Sequence, residues 1–461
     1  MLRDFRVLRR GAAAAVVMGA SALLVLPGTH AAAATVSVPC TGVNTADVAA
    51  LTAAITAANI AGGQTLSLGA GCTFTLTAVD NTGSNGPNGL PQITSTMTIQ
   101  GNGDTITRDT ASGNTPPFRY FETTAAGNLT ITSLILTKGL SGFPGGAIYG
   151  VGPVTVIGST LSDNGSGGGG GAIYDHGALV VTNSSFLGNV ATSDGGGIDS
   201  ASGVVVTAGY ALTVSGSTFS ANTATQLGGA ISASNDTVIV NSTMTGNTGF
   251  AGGGVWNGGS TSLEILDSTI AGNTATFTAA GGGIGNSLSK PDVTVTNTIV
   301  ADNTPDNCGT NNLAPVTDGG HNLENGTSCA FASNAVNAEP ALGGLANNGG
   351  PTSTRAITSS SPAFGKGDPT VCAAAPPDGA GGVDQRGDAR KTATCDIGAF
   401  EVAAAVTASP SPTPVTPSVP PTGAVPADSP GPSAGLVIAG AGILLLGVLT
   451  AIGRRRNDSV V

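Results

Sequence analysis

A two-part repeat constrains what this chain can fold into more than any other feature. Gly-Gly followed by a small residue and a β-branched one ends at Ile148, Ile173, Ile198, Ile231, Val255 and Ile284, with spacings of 25, 25, 33, 24 and 29 residues. A second element ends at Asn164, Asn189, Asn222, Asn247, Asn273 and Asn303, in phrases such as Phe186-Leu187-Gly188-Asn189 and Phe219-Ser220-Ala221-Asn222. Between the two lie short alternating segments, among them Val154-Thr155-Val156, Leu179-Val180-Val181 and Val293-Thr294-Val295. A period of this size marks stacked units, because two or three short strands cannot bury their apolar side chains alone. Coiling the units places Ile on Ile and Val on Val at about 4.8 Å, with each interior strand paired above and below.

The economical solution is all-β: a right-handed parallel β-helix. Gly supplies positive φ and close backbone approach at the corners, and Asn tolerates the left-handed region. The aligned Asn residues fit either plain turns or an internal amide ladder, and the sequence leaves both open. A calcium-binding nonapeptide array would recur every nine residues, and a propeller blade about every 40 to 45 with its own signature; neither fits. Ahead of the regular units, Thr45 to Ala61 is an Ala-rich helical candidate for the cap that a solenoid needs at its open end. The expected organisation is a cap with irregular first turns over 35–138, regular repeats over 139–304 and a cysteine-bearing segment over 305–401.

The two ends read as export and anchoring signals. Arg3, Arg6, Arg9 and Arg10 precede an apolar run from Ala12 to Leu26 and small residues at Ala31 to Ala34, so residues 1–34 form a secretion leader. Arg9-Arg10 admits a twin-arginine route, while Gly11-Ala12 favours the general one. Residues 402–433 are a Pro, Ser, Thr and Ala stalk, which composition keeps extended and unpacked. Residues 434–453 carry no charge and are long enough to cross a bilayer as one helix, and Arg454-Arg455-Arg456 follow. The positive-inside rule then leaves the tail, 454–461, in the cytoplasm and the rest of the mature chain at the cell surface.

Charge narrows the partners. The chain carries a net charge of -11; losing the leader (four Arg, one Asp) and the tail (three Arg, one Asp) leaves the ectodomain at -16. Lys and Arg are absent from Gly139 through Ser289, so phosphate neutralisation has no basis there and no nucleic acid is expected as a partner. The six cysteines suit an oxidising exterior, and nearest-neighbour pairing gives Cys40 with Cys72, Cys308 with Cys329 and Cys372 with Cys395, one of fifteen connectivities. No C-x-x-C spacing occurs and the mature chain keeps only His176 and His321, so no metal site is expected; no cofactor is expected either.

The alternation of Gly145-Gly146-Ala147-Ile148 and Gly170-Gly171-Ala172-Ile173 with the F-x-x-N phrases resembles the repeats of polymorphic outer-membrane proteins. The later segment resembles the choice-of-anchor Q domain proteins. It carries in order Leu345-Ala346-Asn347-Asn348-Gly349-Gly350-Pro351-Thr352, Ser361-Pro362-Ala363, Asp384-Gln385-Arg386-Gly387 and Cys395-Asp396-Ile397-Gly398-Ala399-Phe400-Glu401. That resemblance implies an extracellular β-helix followed by a variable anchor, and implies no chemistry. Val419-Pro420-Pro421-Thr422-Gly423 resembles the sortase signal L-P-x-T-G with Val in place of Leu, which opens a wall linkage beside the membrane anchor.

Tyr149, Tyr174 and Trp256 each follow the β-branched residue of a repeat, so they should point outward as a broken stripe with Asp175, His176 and Asp199. Aromatic faces beside carboxylates suit a glycan or a cell-envelope polymer. Such a module is adhesive, glycan-contacting or envelope-structural rather than catalytic. The alternative is a polysaccharide hydrolase or lyase of the pectate-lyase-like kind, with Asp175 and Asp199 as the paired carboxylates. A lyase also needs an Arg or Lys base, which the regular repeats lack. The dense charges at Asp384, Arg386, Arg390, Asp396 and Glu401 read as structural ion pairs closing the end of the helix.

Overall fold

The computed structural model describes residues 35–403 other than 202–209, 260–261, 288–292, 310–314 and 333–335. The expected leader, membrane segment and tail, and the stalk from 404 onward, lie outside the described residues. Among the described residues no helix is long and apolar enough to cross a membrane.

One turn shows how the repeat folds. The strand Ile148–Gly150 is followed by Val154–Ile157, Thr160–Ser162 and Gly165–Ser166, and the next turn begins at Ile173–Asp175. Each strand pairs in parallel with its counterpart one turn on, as in Ile148 with Ile173, Val154 with Leu179, Leu161 with Phe186 and Gly165 with Val190. A parallel β-helix results, with four strands per turn rather than two or three; the extra one is the two-residue strand after each Asn. Sheet I, containing Val154–Ile157, and sheet II, containing Thr160–Ser162, have eleven strands each; sheet III, containing Gly165–Ser166, has six, and sheet IV, containing Ile148–Gly150, has seven.

The core is a set of columns running along the axis. Ile148, Ile173, Ile198, Ile231, Val255 and Ile284 are fully buried in one; Leu161, Phe186, Phe219, Met244 and Ile270 fill another, where Phe186 and Phe219 stack at 4.6 Å. Each such side chain contributes about 1.5–3 kcal/mol through burial. At the N-terminal end α1 (Asn44–Ala61) buries Leu51, Ile55 and Ala58 against the first strands.

Two internal ladders hold the corners. Asn164, Asn189, Asn222, Asn247, Asn273, Asn303 and Asn307 are buried, and each Nδ2 donates to the next Oδ1 at 2.8–3.0 Å. The amide ladder is therefore the one of the two open alternatives that forms. The left-handed residue at this corner is the one before the Asn: Asp163, Gly188, Ala221, Gly246, Gly272 and Asp302. A second ladder of Ser159, Ser184, Ser217, Ser242, Ser268 and Thr298 links sheets I and II. Each hydroxyl accepts the backbone N–H of its counterpart one turn earlier, or of Leu134 for Ser159, at 3.1–3.2 Å and donates to the carbonyl two residues back. At the third corner the first Gly of each pair has positive φ, and the second has no room for a Cβ; one on Gly171 would lie 2.1 Å from the Gly196 carbonyl oxygen.

The segment after the regular turns corrects one expectation. Its charged cluster does not close the end of the helix; it folds back along the corner between sheets I and II as a lateral clasp. Gln385 Nε2 donates to Thr218 and Thr352 at 2.9 Å, and Thr243 donates to Gln385 Oε1 at 2.6 Å. Arg390 reaches the Asn241 side chain at 2.8 Å, and the Asp368 N–H reaches that of Asn297 at 2.7 Å. Within the clasp Asp384 pairs with Arg386 at 2.8 Å, Glu401 pairs with Lys391 at 2.8 Å, and Arg386 lies over Phe400. The bridges are Cys40–Cys72, Cys308–Cys329 and Cys372–Cys395, which is the nearest-neighbour pattern.

Candidate functional site

The outward column of sheet IV gathers most of the candidate residues. In register it runs Glu122, Tyr149, Tyr174, Asp199, Ser232, Trp256 and Gly285. Tyr149 and Tyr174 stack with ring centres 5.1 Å apart. The exposed His176 ring lies 5.4 Å from that of Tyr174, and Tyr174 Oη and His176 Nε2 share a hydrogen bond at 3.3 Å.

The stack rests on a buried ion pair that the sequence reading did not single out. Arg119 is fully buried, pairs with Glu122 at 3.4 Å and lies under the Tyr149 ring at 5.2 Å. Its guanidinium also donates to the carbonyls of Asn85, Pro144 and Gly145 and to the side chains of Asn88 and Ser141. With that many partners the charge is satisfied and the guanidinium is fixed, so it holds Tyr149 in place. No sequence signal could have found it, since the irregular turn around 119 has no counterpart in the repeat.

The two carboxylates proposed as a pair are not brought together. Asp199 is in register with Tyr174 on the outward side, whereas Asp175 is in register with Ser200 in an inward column. Alternation along a strand puts the two on opposite faces of the sheet. Asp175 is fully buried; its Oδ1 accepts the Gly177 N–H at 3.2 Å and its Oδ2 has no partner among the described residues. Burial pushes its carboxyl up to about 7. Asp199 is also pushed up to about 7, first by burial and then by the nearby charge of Asp194, against a hydrogen bond from Ser232. Asp194 sits at the corner before this strand, where its Oδ1 accepts the Leu227 N–H at 2.9 Å. Burial, with Asp199 next, lifts the Tyr174 hydroxyl to about 12. The acidic partner of Asp199 on this face is thus Asp194, which lies outside the repeat's motif columns.

The stripe is less exposed than its alignment suggests. Tyr149 and Trp256 are each only 8% accessible. Trp256 packs with Ala251, Ala275 and Ala280 and covers Gly285, where a Cβ would meet the ring at 2.4 Å. The exposed rings beside it are Phe250 and Phe277, 47% and 46% accessible and stacked at 5.2 Å. Their signal was a Phe shortly before each of two Gly-rich pairs, outside the motif columns.

Among the described residues the one grouping with metal-ligand geometry is Cys40, Cys72 and Asp47. Both thiols are in a disulfide and Asp47 accepts from Thr41 and Gly42, so nothing remains there to hold an ion. Residues 98–275 match the family model of a right handed beta helix region. No curated protein and no solved structure matches the chain.

Proposed function

We propose that this protein is a cell-surface β-helix that contacts a neutral glycan or envelope polymer through the outward face of sheet IV and performs no chemistry there. The observation that carries this reading is the Tyr149–Tyr174 stack, held from below by Arg119 and flanked by His176. The half-buried Tyr174 and the exposed His176, on a scaffold fixed by a buried ion pair, offer a pre-organised edge to a sugar, while Tyr149, covered by Arg119 and Tyr174, supports them from beneath. The absence of Lys and Arg from 139 to 289, with Asp194 and Asp199 alongside, disfavours sulfated or uronate-rich polymers at that face. Export and anchoring rest on the apolar ends and on the choice-of-anchor Q resemblance. The resembling motifs carry structural contacts, as at Gln385, Asp384 and Arg386, and this suits a segment without chemistry of its own.

A second reading, polysaccharide hydrolysis, is favoured by one observation: Asp199 has a carboxyl titrating near neutrality beside a second carboxylate, Asp194. A carboxyl raised by its surroundings next to a second carboxylate is an arrangement that acid–base cleavage can use. A glycan-array screen with product analysis separates the two. Retention of neutral glycans, lost in Tyr174→Ala and kept in Asp199→Asn, supports a binding module. Released oligosaccharides that disappear in Asp199→Asn would establish the hydrolase instead.

A further inference from the structure

Outside the sheet IV face, a notch at the corner between sheets II and III has the makings of a second site. In the outward column of sheet III, Leu140, Gly165 and Val190 are neighbours in register. Leu140 and Val190 are 42% and 46% accessible, and Gly165 between them has no side chain. The Leu140 side chain leans partly over Gly165, 3.1 Å from where a Cβ there would stand, and the space left between it and Val190 opens into a cavity of about 280 Å³.

The end of the notch nearest the first turns is cationic in an otherwise acidic solenoid. Arg108 and Lys138 follow Thr107 and Thr137, which are partners in sheet II. Arg108 is held in place by Nε donating to the Lys138 carbonyl at 3.3 Å and Nη1 to that of Thr115 at 3.1 Å; among the described residues Nη2 makes no further hydrogen bond, and the carboxylate of Asp109 feels the charge. Lys138 is exposed and forms no ion pair with a described residue. It also sits in the left-handed region at φ 64°, an uncommon conformation for a residue with a Cβ. The equivalent corner positions further on are Asp163, Gly188, Ala221, Gly246, Gly272 and Asp302, none of them basic, so nothing in the fold calls for a lysine here. Asp163, the carboxylate in the notch, leans the other way: a Cβ on Gly188 would lie 3.0 Å from its Oδ1. Cations therefore stand at one end, a hydroxyl acceptor at the other and an apolar cleft between them.

We propose that this notch binds a single carboxylated sugar residue, its carboxylate on Lys138 and Arg108, its ring between Leu140 and Val190 and its hydroxyls toward Asp163. The volume, about 280 Å³, falls just below the range of small-molecule sites, which run from about 300 Å³, and this limits the ligand to about one ring. The site is separate from the sheet IV face and does not depend on what that face binds.

Calorimetric titration of the full chain with methyl glucuronide and methyl glucoside, which differ by the carboxylate alone, tests this. The glucuronide should bind saturably and about tenfold or more tighter than the glucoside, the size of one charge-assisted contact. Lys138→Gly should lose that preference while raising the melting temperature, because Gly relaxes the left-handed residue; a structural lysine would lower it. Gly165→Val, which fills the gap, should abolish binding. Equal affinity for both sugars, no saturable binding of either, or an unchanged preference in Lys138→Gly would each overturn the proposal. Should Gly165→Val fail to fold, the Lys138→Gly result decides alone.

Discussion

Replacing Asn222 with Ala tests whether the amide ladder, rather than turn geometry, is why each turn carries an Asn. Asn222 is fully buried and makes four side-chain hydrogen bonds. Its Oδ1 accepts the Asn189 backbone N–H at 3.0 Å and Asn189 Nδ2 at 2.8 Å; its Nδ2 donates to the Phe186 carbonyl at 2.9 Å and to Asn247 Oδ1 at 2.9 Å. After truncation Asn189 Nδ2 keeps the Leu161 carbonyl and Asn247 Oδ1 keeps the Asn222 N–H. The Asn189 N–H and the Phe186 carbonyl lose these partners. The Asn189 N–H is then orphaned, while the Phe186 carbonyl keeps its place in the strand pairing of Leu187 with Ser220. One orphaned buried group costs about 1–3 kcal/mol and the lost packing adds to that, so Asn222→Ala should destabilise by about 2–4 kcal/mol. The comparison is Asn347→Ala, where the side chain only accepts the Gly349 N–H in an exposed turn at 3.0 Å and the loss should stay below about 1 kcal/mol. Urea unfolding followed by circular dichroism reads both. Equal losses at the two positions would refute the ladder argument, because they would make Asn222 a turn residue like any other.

Four further outcomes follow from the same geometry. Ala221, left-handed at φ 56°, should be improved by Gly: relief of about 1–2 kcal/mol against about 0.5–1 kcal/mol of backbone entropy gives a small rise in melting temperature. Gly171→Ala, with its Cβ 2.1 Å from the Gly196 oxygen, should cost more than about 3 kcal/mol and show as loss of soluble protein or a large fall in unfolding midpoint. The Asp175 carboxyl, raised from 3.8 to about 7, holds a proton that the unfolded chain gives up, so its stabilising contribution is complete below pH 3.8 and lost as pH rises through 7. Asp175→Asn should accordingly raise stability at about pH 8, change little at about pH 4 and flatten the curve between them, as pH-dependent unfolding would report. Gln385→Ala removes the hydrogen bonds that tie the clasp to Thr218 and Thr243 and the one to Thr352 within the clasp, and limited proteolysis should then cut within residues 340–402 while the regular turns resist.

Much of the fold was legible because its constraints are local. The Gly-Gly and Asn columns mark corners whose backbone geometry admits few residues, and Ile, Val, Leu and Phe between them declare the inward face by alternation. The serine ladder escaped notice because Ser159, Ser184 and Ser217 look like ordinary loop residues until the turns are stacked. The site was half legible. Strand alternation placed Tyr149 and Tyr174 in one outward column, and the same rule places Asp175 on the other face from Asp199. Arg119, Asp194 and the Phe250–Phe277 pair depend on contacts between turns of unequal length, and the clasp joins residues more than 130 positions apart, as in Gln385 and Thr243. No pattern in the chain encodes such distances.

The ladders also explain where variation is permitted. The connection from sheet I to sheet II, which carries the hydroxyl ladder, is two residues long in every regular turn, as from Ile157 to Thr160 and from Ser215 to Thr218. The connection from sheet II to sheet III, which carries the amide ladder, is equally constant, as from Ser162 to Gly165 and from Ala271 to Thr274. One added residue at either corner would interrupt a buried hydrogen-bonded column at that turn. Among its described residues the connection from sheet IV to sheet I shows no such ladder, and there the length varies: three residues from Asp175 to Leu179, eleven from Ser200 to Leu212, five from Asn257 to Leu263 and six from Asn286 to Val293. The extra residues of the 33-residue turn fall at this corner, and strand register is kept on both sides of it. The clasp covers the first constant corner at Gly216, Asn241 and Asn297. Tolerance to insertion therefore lies on the flank of sheet IV, where Tyr149, Tyr174 and Asp199 stand, and loops that can change without cost to the core are where recognition surfaces diversify.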